Sequence, residues 1–153
     1  MQPSTITYPL HERRLPNGLR VVVNPDHIVP VVAVNLWYDV GSADETLDRT
    51  GLAHLFEHLM FQGSAHVRSG DHLGLIQAAG GSVNGTTSYD RTNYFEAVPK
   101  PALRMAMWLE ADRLGTLLET VDQASLDNQR DVVKEEKRQR YDNVPYGDVW
   151  HRL

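Results

Sequence analysis

The chain has no cysteine among its 153 residues. Disulfides and thiolate metal sites are therefore excluded, and any bound transition metal must be held by histidine and carboxylate. It also lacks a long apolar run: the longest, from Ile28 to Tyr38, is interrupted by Pro30 and Asn35 and is too short to span a bilayer. The first ten residues carry no basic segment followed by an apolar one, so no signal peptide is expected, and a cytoplasmic protein with no membrane partner is the default. Basic charge is in deficit, with 15 Lys and Arg against 20 Asp and Glu, which argues against a nucleic-acid partner. The 41% hydrophobic content is enough for one domain with a real core.

Within these limits one stretch stands out, Gly51-Leu-Ala-His54-Leu-Phe-Glu57-His58-Leu-Met-Phe61. Leu52, Leu55, Phe56 and Leu59 recur at helical spacing and predict an apolar stripe facing a core. His54, Glu57, His58 and Phe61 repeat the spacing on the other face. Helical neighbours three and four apart project side by side, so two imidazoles and a carboxylate converge on one small volume, as a metal site requires. His-x-x-Glu-His is the inverzincin order.

Around it the pattern predicts an α+β fold, a mostly antiparallel sheet packed against helices. His11–Leu15 and Leu19–Asn24 read as a hairpin through Pro16-Asn17-Gly18, and Val31–Val40 as a central strand. Thr50 is the expected N-cap of the histidine helix, which Gln62-Gly63-Ser64 stop. A second helix runs from a cap near Ser69 to Ala79, ended by Gly80 and Gly81. His66 and His72 lack metal-ligand spacing to a partner and are expected to be solvated. Ser82–Tyr89 and Thr92–Val98 predict a second hairpin about Asp90-Arg91. Pro99-Lys100-Pro101 open a helix whose core face carries Leu103, Met107, Leu114 and Leu117, with Trp108 also packing inward. Asp122 caps a charged helix from Gln123 to about Tyr141, and Trp150 falls within a following helix.

Two histidines are one ligand short of a catalytic zinc site, which needs three protein ligands and an open position. The candidates are the adjacent Glu135 and Glu136. Glu136 continues the stripe of Leu126, Gln129, Val132 and Val133, whereas Glu135 lies about 100° round the helix with Asn128, Asp131 and Gln139. The helical face favours Glu136, with Glu135 as the alternative. Glu57, beside the ligands, is the expected general base, and Phe61 a wall of a side-chain pocket.

The text His54-Leu-Phe-Glu57-His58-Leu-Met-Phe61-Gln-Gly63 resembles the pitrilysin/insulinase family of zinc peptidases, in its bacterial processing-peptidase-like branch. So do Leu15-Pro-Asn-Gly-Leu19, the run Gly80-Gly-x-x-Asn84-x-x-Thr87-x-x-Asp90-x-Thr92-x-Tyr94, and Arg130-x-Val132-Val133-x-x-Glu136. The resemblance implies a zinc metalloendopeptidase with one Zn²⁺ held by His54, His58 and Glu136. It also implies an edge strand, including Asn84, Gly85 and Thr86, that binds extended peptide. Family spacing from the second histidine often lands on Glu135, so that alternative stays open. Relatives commonly carry alanine where Gly85 stands and a second glutamate where Gln129 stands; an accessory role for that carboxylate does not transfer.

Relatives are several times longer and pair two related halves. The resemblance therefore implies that residues 1–153 are an N-terminal portion of a peptidase domain, incomplete at its C-terminus, whose partner is a second half or homologous subunit. The isolated portion is expected to be weakly active or inactive. A non-catalytic assembly subunit and a metal-dependent hydrolase of non-peptide substrates are the competing readings.

Overall fold

The computed structural model describes residues 8–147 and 149. Trp150 and the helix expected there lie outside them. The chain divides at Pro30 into two units.

In the first unit β1 (His11–Arg14) pairs antiparallel with β2 (Arg20–Val23). The connection closes with Leu15 N–H donating to Leu19 O at 2.8 Å and Gly18 N–H to Leu15 O at 2.9 Å. An exposed Arg20–Glu12 ion pair crosses the strands.

The second unit holds a three-stranded antiparallel sheet in the order β3 (Val31–Tyr38), β5 (Thr92–Pro99), β4 (Ser82–Thr87). The hairpin places β4 at an edge among the described residues, and long-range pairing inserts β5 in the centre. Among the described residues two α-helices, α1 (Leu52–Leu59) and α2 (Asp71–Ala78), lie between β3 and β4 in sequence, and two more, α3 (Leu103–Thr116) and α4 (Gln123–Lys137), follow β5. A π-helical turn carries α4 on through Asp142. The architecture is α+β.

Side chains alternate across the sheet. Tyr94, Glu96 and Val98 of β5 are buried on the helix side, and Phe95 is exposed on the other. One apolar cluster joins Val67, Ile76, Val98, Ala106 and Leu109; another joins Met60, Tyr94 and Leu117. Asp122 caps α4 as expected, accepting from Ser125 N–H at 2.7 Å.

Several local expectations are corrected. Leu52 and Phe56 are exposed, while Ala53, Leu55 and Leu59 are buried, because the helix docks along two flanks and leaves a stripe between them open. Thr50 is not the cap; Gly51 occupies that position at φ 90°, a conformation glycine adopts without a Cβ clash. Within the Ser69–His72 stretch expected to cap α2, Gly70 takes the N-cap position, and no side chain caps the helix there. His72 is buried. On α3, Met107 and Leu114 are exposed, and the inward positions are Ala106, Leu109, Glu110 and Arg113. Trp108 is half-exposed beside the His66 ring. Val132 of α4 also faces solvent. Periodicity identifies which side chains share a face; the neighbours decide which face is covered.

Candidate active site

The entry of α1 is fixed from outside the helix. The Glu45 carboxylate accepts from Gly51 N–H and Ala53 N–H, each at 2.7 Å. It satisfies donors that have no partner within the helix, and its charge complements the positive end of the dipole. A single helical turn then brings His54 and His58 together. Their rings stand at 84° with centroids 4.8 Å apart, and their Nε2 atoms are 3.3 Å from each other.

Helix α4 packs across α1 and delivers Glu136 to the same point. Glu136 Oε2 lies 3.3 Å from His54 Nε2 and 3.3 Å from His58 Nε2. That oxygen is buried and makes no hydrogen bond, while the carboxylate's other oxygen pairs with Arg140 at 2.6 Å. Three donors at the corners of a tetrahedron, each roughly 2.0–2.1 Å from its centre, stand about 3.3–3.4 Å apart. The triangle therefore has the size of a His₂Glu zinc site, and the unsatisfied oxygen is a donor such a cation completes. All three side chains are between 23% and 31% exposed, so one direction remains open to solvent. Glu135 points elsewhere: it is 53% exposed and pairs with Arg138 at 3.1 Å.

Glu57 sits beside this triangle with its carboxylate accepting a hydrogen bond from the Thr87 hydroxyl at the end of β4. An ideal Cβ on Gly85 would lie 3.2 Å from Glu57 Cγ, Phe61 Cε2 and Tyr94 Cδ1 alike. The glycine thus lets the edge strand approach α1 at the base of Glu57. Phe61 packs edge-on against Tyr94 at 5.7 Å and His72 at 6.1 Å. Burial raises the Tyr94 phenol above its ordinary value.

Since Gly85 and Thr87 face α1, Asn84 and Thr86 direct their side chains to the opposite face of the sheet. Thr86 donates to Asn93 at 2.5 Å and accepts from Arg91 at 2.7 Å there. Asn84 folds back to accept from Gly85 N–H at 2.9 Å. What these two positions offer toward α1 is main chain.

The sequence reading missed Thr87 and Glu45, and it set His72 aside. Thr87 was legible as part of the Gly80 to Tyr94 motif. Glu45 had no local signal, because it acts on backbone six and eight residues away. A groove of about 720 Å³ also opens over the exposed flank of α1, lined by Tyr38, Val40, Leu52, Phe56, Met60 and Tyr94. Among the described residues, no helix is long and apolar enough to cross a membrane.

Comparison with known proteins identifies the family and the fold. The family model for insulinase, Peptidase family M16, matches residues 20–148. The zinc protease PqqE of Helicobacter pylori is 36% identical over 147 residues, covering 95% of this chain and 33% of that protein. Among solved structures, a protease from Helicobacter pylori superposes with a TM-score of 0.89 at 33% identity, over 94% of this chain and 34% of the other. Pitrilysin superposes with a TM-score of 0.79 at 26% identity, over 89% of this chain and 14% of its own. The chain spans about a third of the length of the first two. With the family model matching most of its length, this chain belongs to the insulinase family of peptidases, Peptidase family M16.

Proposed function

We propose that the protein is a zinc-dependent endopeptidase acting on peptides or unfolded segments. The observation that carries this reading is the triangle of His54 Nε2, His58 Nε2 and Glu136 Oε2, whose 3.3 Å edges suit one Zn²⁺. Zinc held there supplies Lewis-acid polarisation of a carbonyl and lowers the pKa of water to about 7.

Glu57 is the general base. It lies on the ligand helix without belonging to the triangle, and Thr87 holds its carboxylate in one orientation, ready to take a proton and return it to the leaving amine. The edge strand β4 carries the peptide. An extended chain adding to a free strand edge gains main-chain hydrogen bonds irrespective of its side chains, which suits the outward aim of Asn84 and Thr86. Phe61 borders the base of Glu57 and limits the space beside it. A chain one third the length of its relatives leaves most of a substrate's surface to other elements, so a second peptidase-like half or homologous subunit is the expected partner.

The test uses the full-length protein. It should bind one zinc per site and cleave unstructured peptides, with activity lost on chelation and restored by zinc. Glu57→Gln should lower kcat by roughly 100- to 10,000-fold while zinc content stays at the wild-type level. Unchanged turnover in that variant removes Glu57 from the mechanism; zinc binding without any cleavage by the wild type favours a non-catalytic subunit.

A further inference from the structure

Beneath the site lies a second group of ionisable side chains that the reaction described above does not use. His72 of α2, Glu96 of β5, and Glu110 and Arg113 of α3 are all at least 97% buried. His72 Nε2 is 2.6 Å from Glu96 Oε1, and the Arg113 guanidinium donates to both Glu110 oxygens at 2.8 and 2.5 Å. Burying an arginine is costly unless its charge and donors are compensated. Here the compensation includes two aromatic faces: the guanidinium carbon lies 4.3 Å from the Tyr94 ring centroid and 5.1 Å from that of Phe61.

Those two rings share with Glu57 the space above Gly85. Tyr94 Cδ1, Phe61 Cε2 and Glu57 Cγ crowd the same point above Gly85. Phe61 follows Glu57 by one helical turn, and Tyr94 pairs across the strands with Gly85. Glu110 grips Arg113, Arg113 stacks on the ring pair, and the ring pair borders the same point above Gly85 as the stem of Glu57.

We propose that Arg113 is a positioning residue for Glu57, acting through Tyr94 and Phe61, with Glu110 holding the guanidinium flat beneath them. The inference rests on the peptidase reading for its effect on turnover. A guanidinium fits this place because it is planar, can stack on a ring and be gripped by a carboxylate at once, and carries its charge at every physiological pH. Lysine offers the charge without the plane. Removing the stack leaves the rings free to tilt, and a base displaced by about 1 Å loses up to about 100-fold in rate.

Two variants of the full-length protein test this. Arg113→Lys keeps the charge. Glu110→Gln with Arg113→Met removes both partners together, so that neither charge of the pair is left without the other. Both should keep wild-type zinc content and nearly wild-type KM. The double variant should lose about 10- to 100-fold in kcat, and Arg113→Lys distinctly less. Crystal structures of the variants should show the Glu57 carboxylate displaced from the Thr87 hydroxyl.

Wild-type kcat in either folded variant overturns the proposal, as does a lowered kcat with Glu57 still seated on Thr87. Should the double variant fail to fold, Arg113→Lys decides alone on the same criteria. If the wild-type protein shows no zinc-dependent cleavage, the peptidase reading fails by itself, and the position of Glu57 in the crystal structures still decides whether Arg113 sets it.

Discussion

His72 Nε2 stands 2.6 Å from Glu96 Oε1 with both side chains almost wholly enclosed, in a fold whose other buried contacts are mainly apolar. The second Glu96 oxygen has no hydrogen-bond partner, and Glu110 lies alongside. Two carboxylates and one guanidinium in a closed space favour keeping a proton.

Glu110 is the carboxyl of this cluster that burial shifts. Burial pushes its carboxyl up to about 7 from an ordinary 4.5, outweighing the opposing pull of Arg113. Between those values the folded chain holds a proton that the unfolded chain has released. Stability contributed by this group therefore falls as pH rises through that window and levels off above it. Urea denaturation of wild type and Glu110→Gln from pH 4.5 to 8 should show the wild type losing stability relative to the variant, on the order of 2–3 kcal/mol across the window. A difference that stays flat or grows in the other direction refutes the assignment.

Adjacent glutamates on α4 should behave very differently. On the reading proposed above, Glu136→Gln removes one of the three zinc ligands and should weaken zinc binding by more than roughly 100-fold, beyond what loss of a supporting residue causes. Glu135→Gln breaks only an exposed pair with Arg138 and should leave zinc affinity nearly unchanged. Competition titrations with a chelator measure both, and equal effects would return the choice between them to open.

The cap on α1 offers a test of stability at a distance from the chemistry. Glu45→Ala strips two backbone donors of their partner at the helix entry and should cost about 1–2 kcal/mol in chemical denaturation. Thr50→Ala, the position that local capping rules favour, should fall within about 0.5 kcal/mol of wild type. The reverse ranking would show that Thr50 holds the helix after all.

What the sequence by itself determined was local. His54, Glu57 and His58 share a helical face because the spacing of three and four residues allows nothing else. The hairpin of β4 and β5 follows from two β-prone runs about a short turn, and the cap at Asp122 from its own next three residues. The likeness to insulinase-type peptidases was legible for the same reason, since it resides in short runs of text.

What only the tertiary structure decided were the meetings of distant residues. The helical face favoured Glu136 over its neighbour Glu135, but only the packing of α4 on α1 brought Glu136 within 3.3 Å of both imidazoles and left Glu135 in solvent. His72 read as a solvated residue, because its partner lies on β5, 24 positions away. Leu52 and Phe56 read as core, because an apolar stripe does not record which neighbours arrive to cover it. Burial, ion pairing and the aim of Glu57 depend on contacts between elements, and those are fixed by how the layers close on one another.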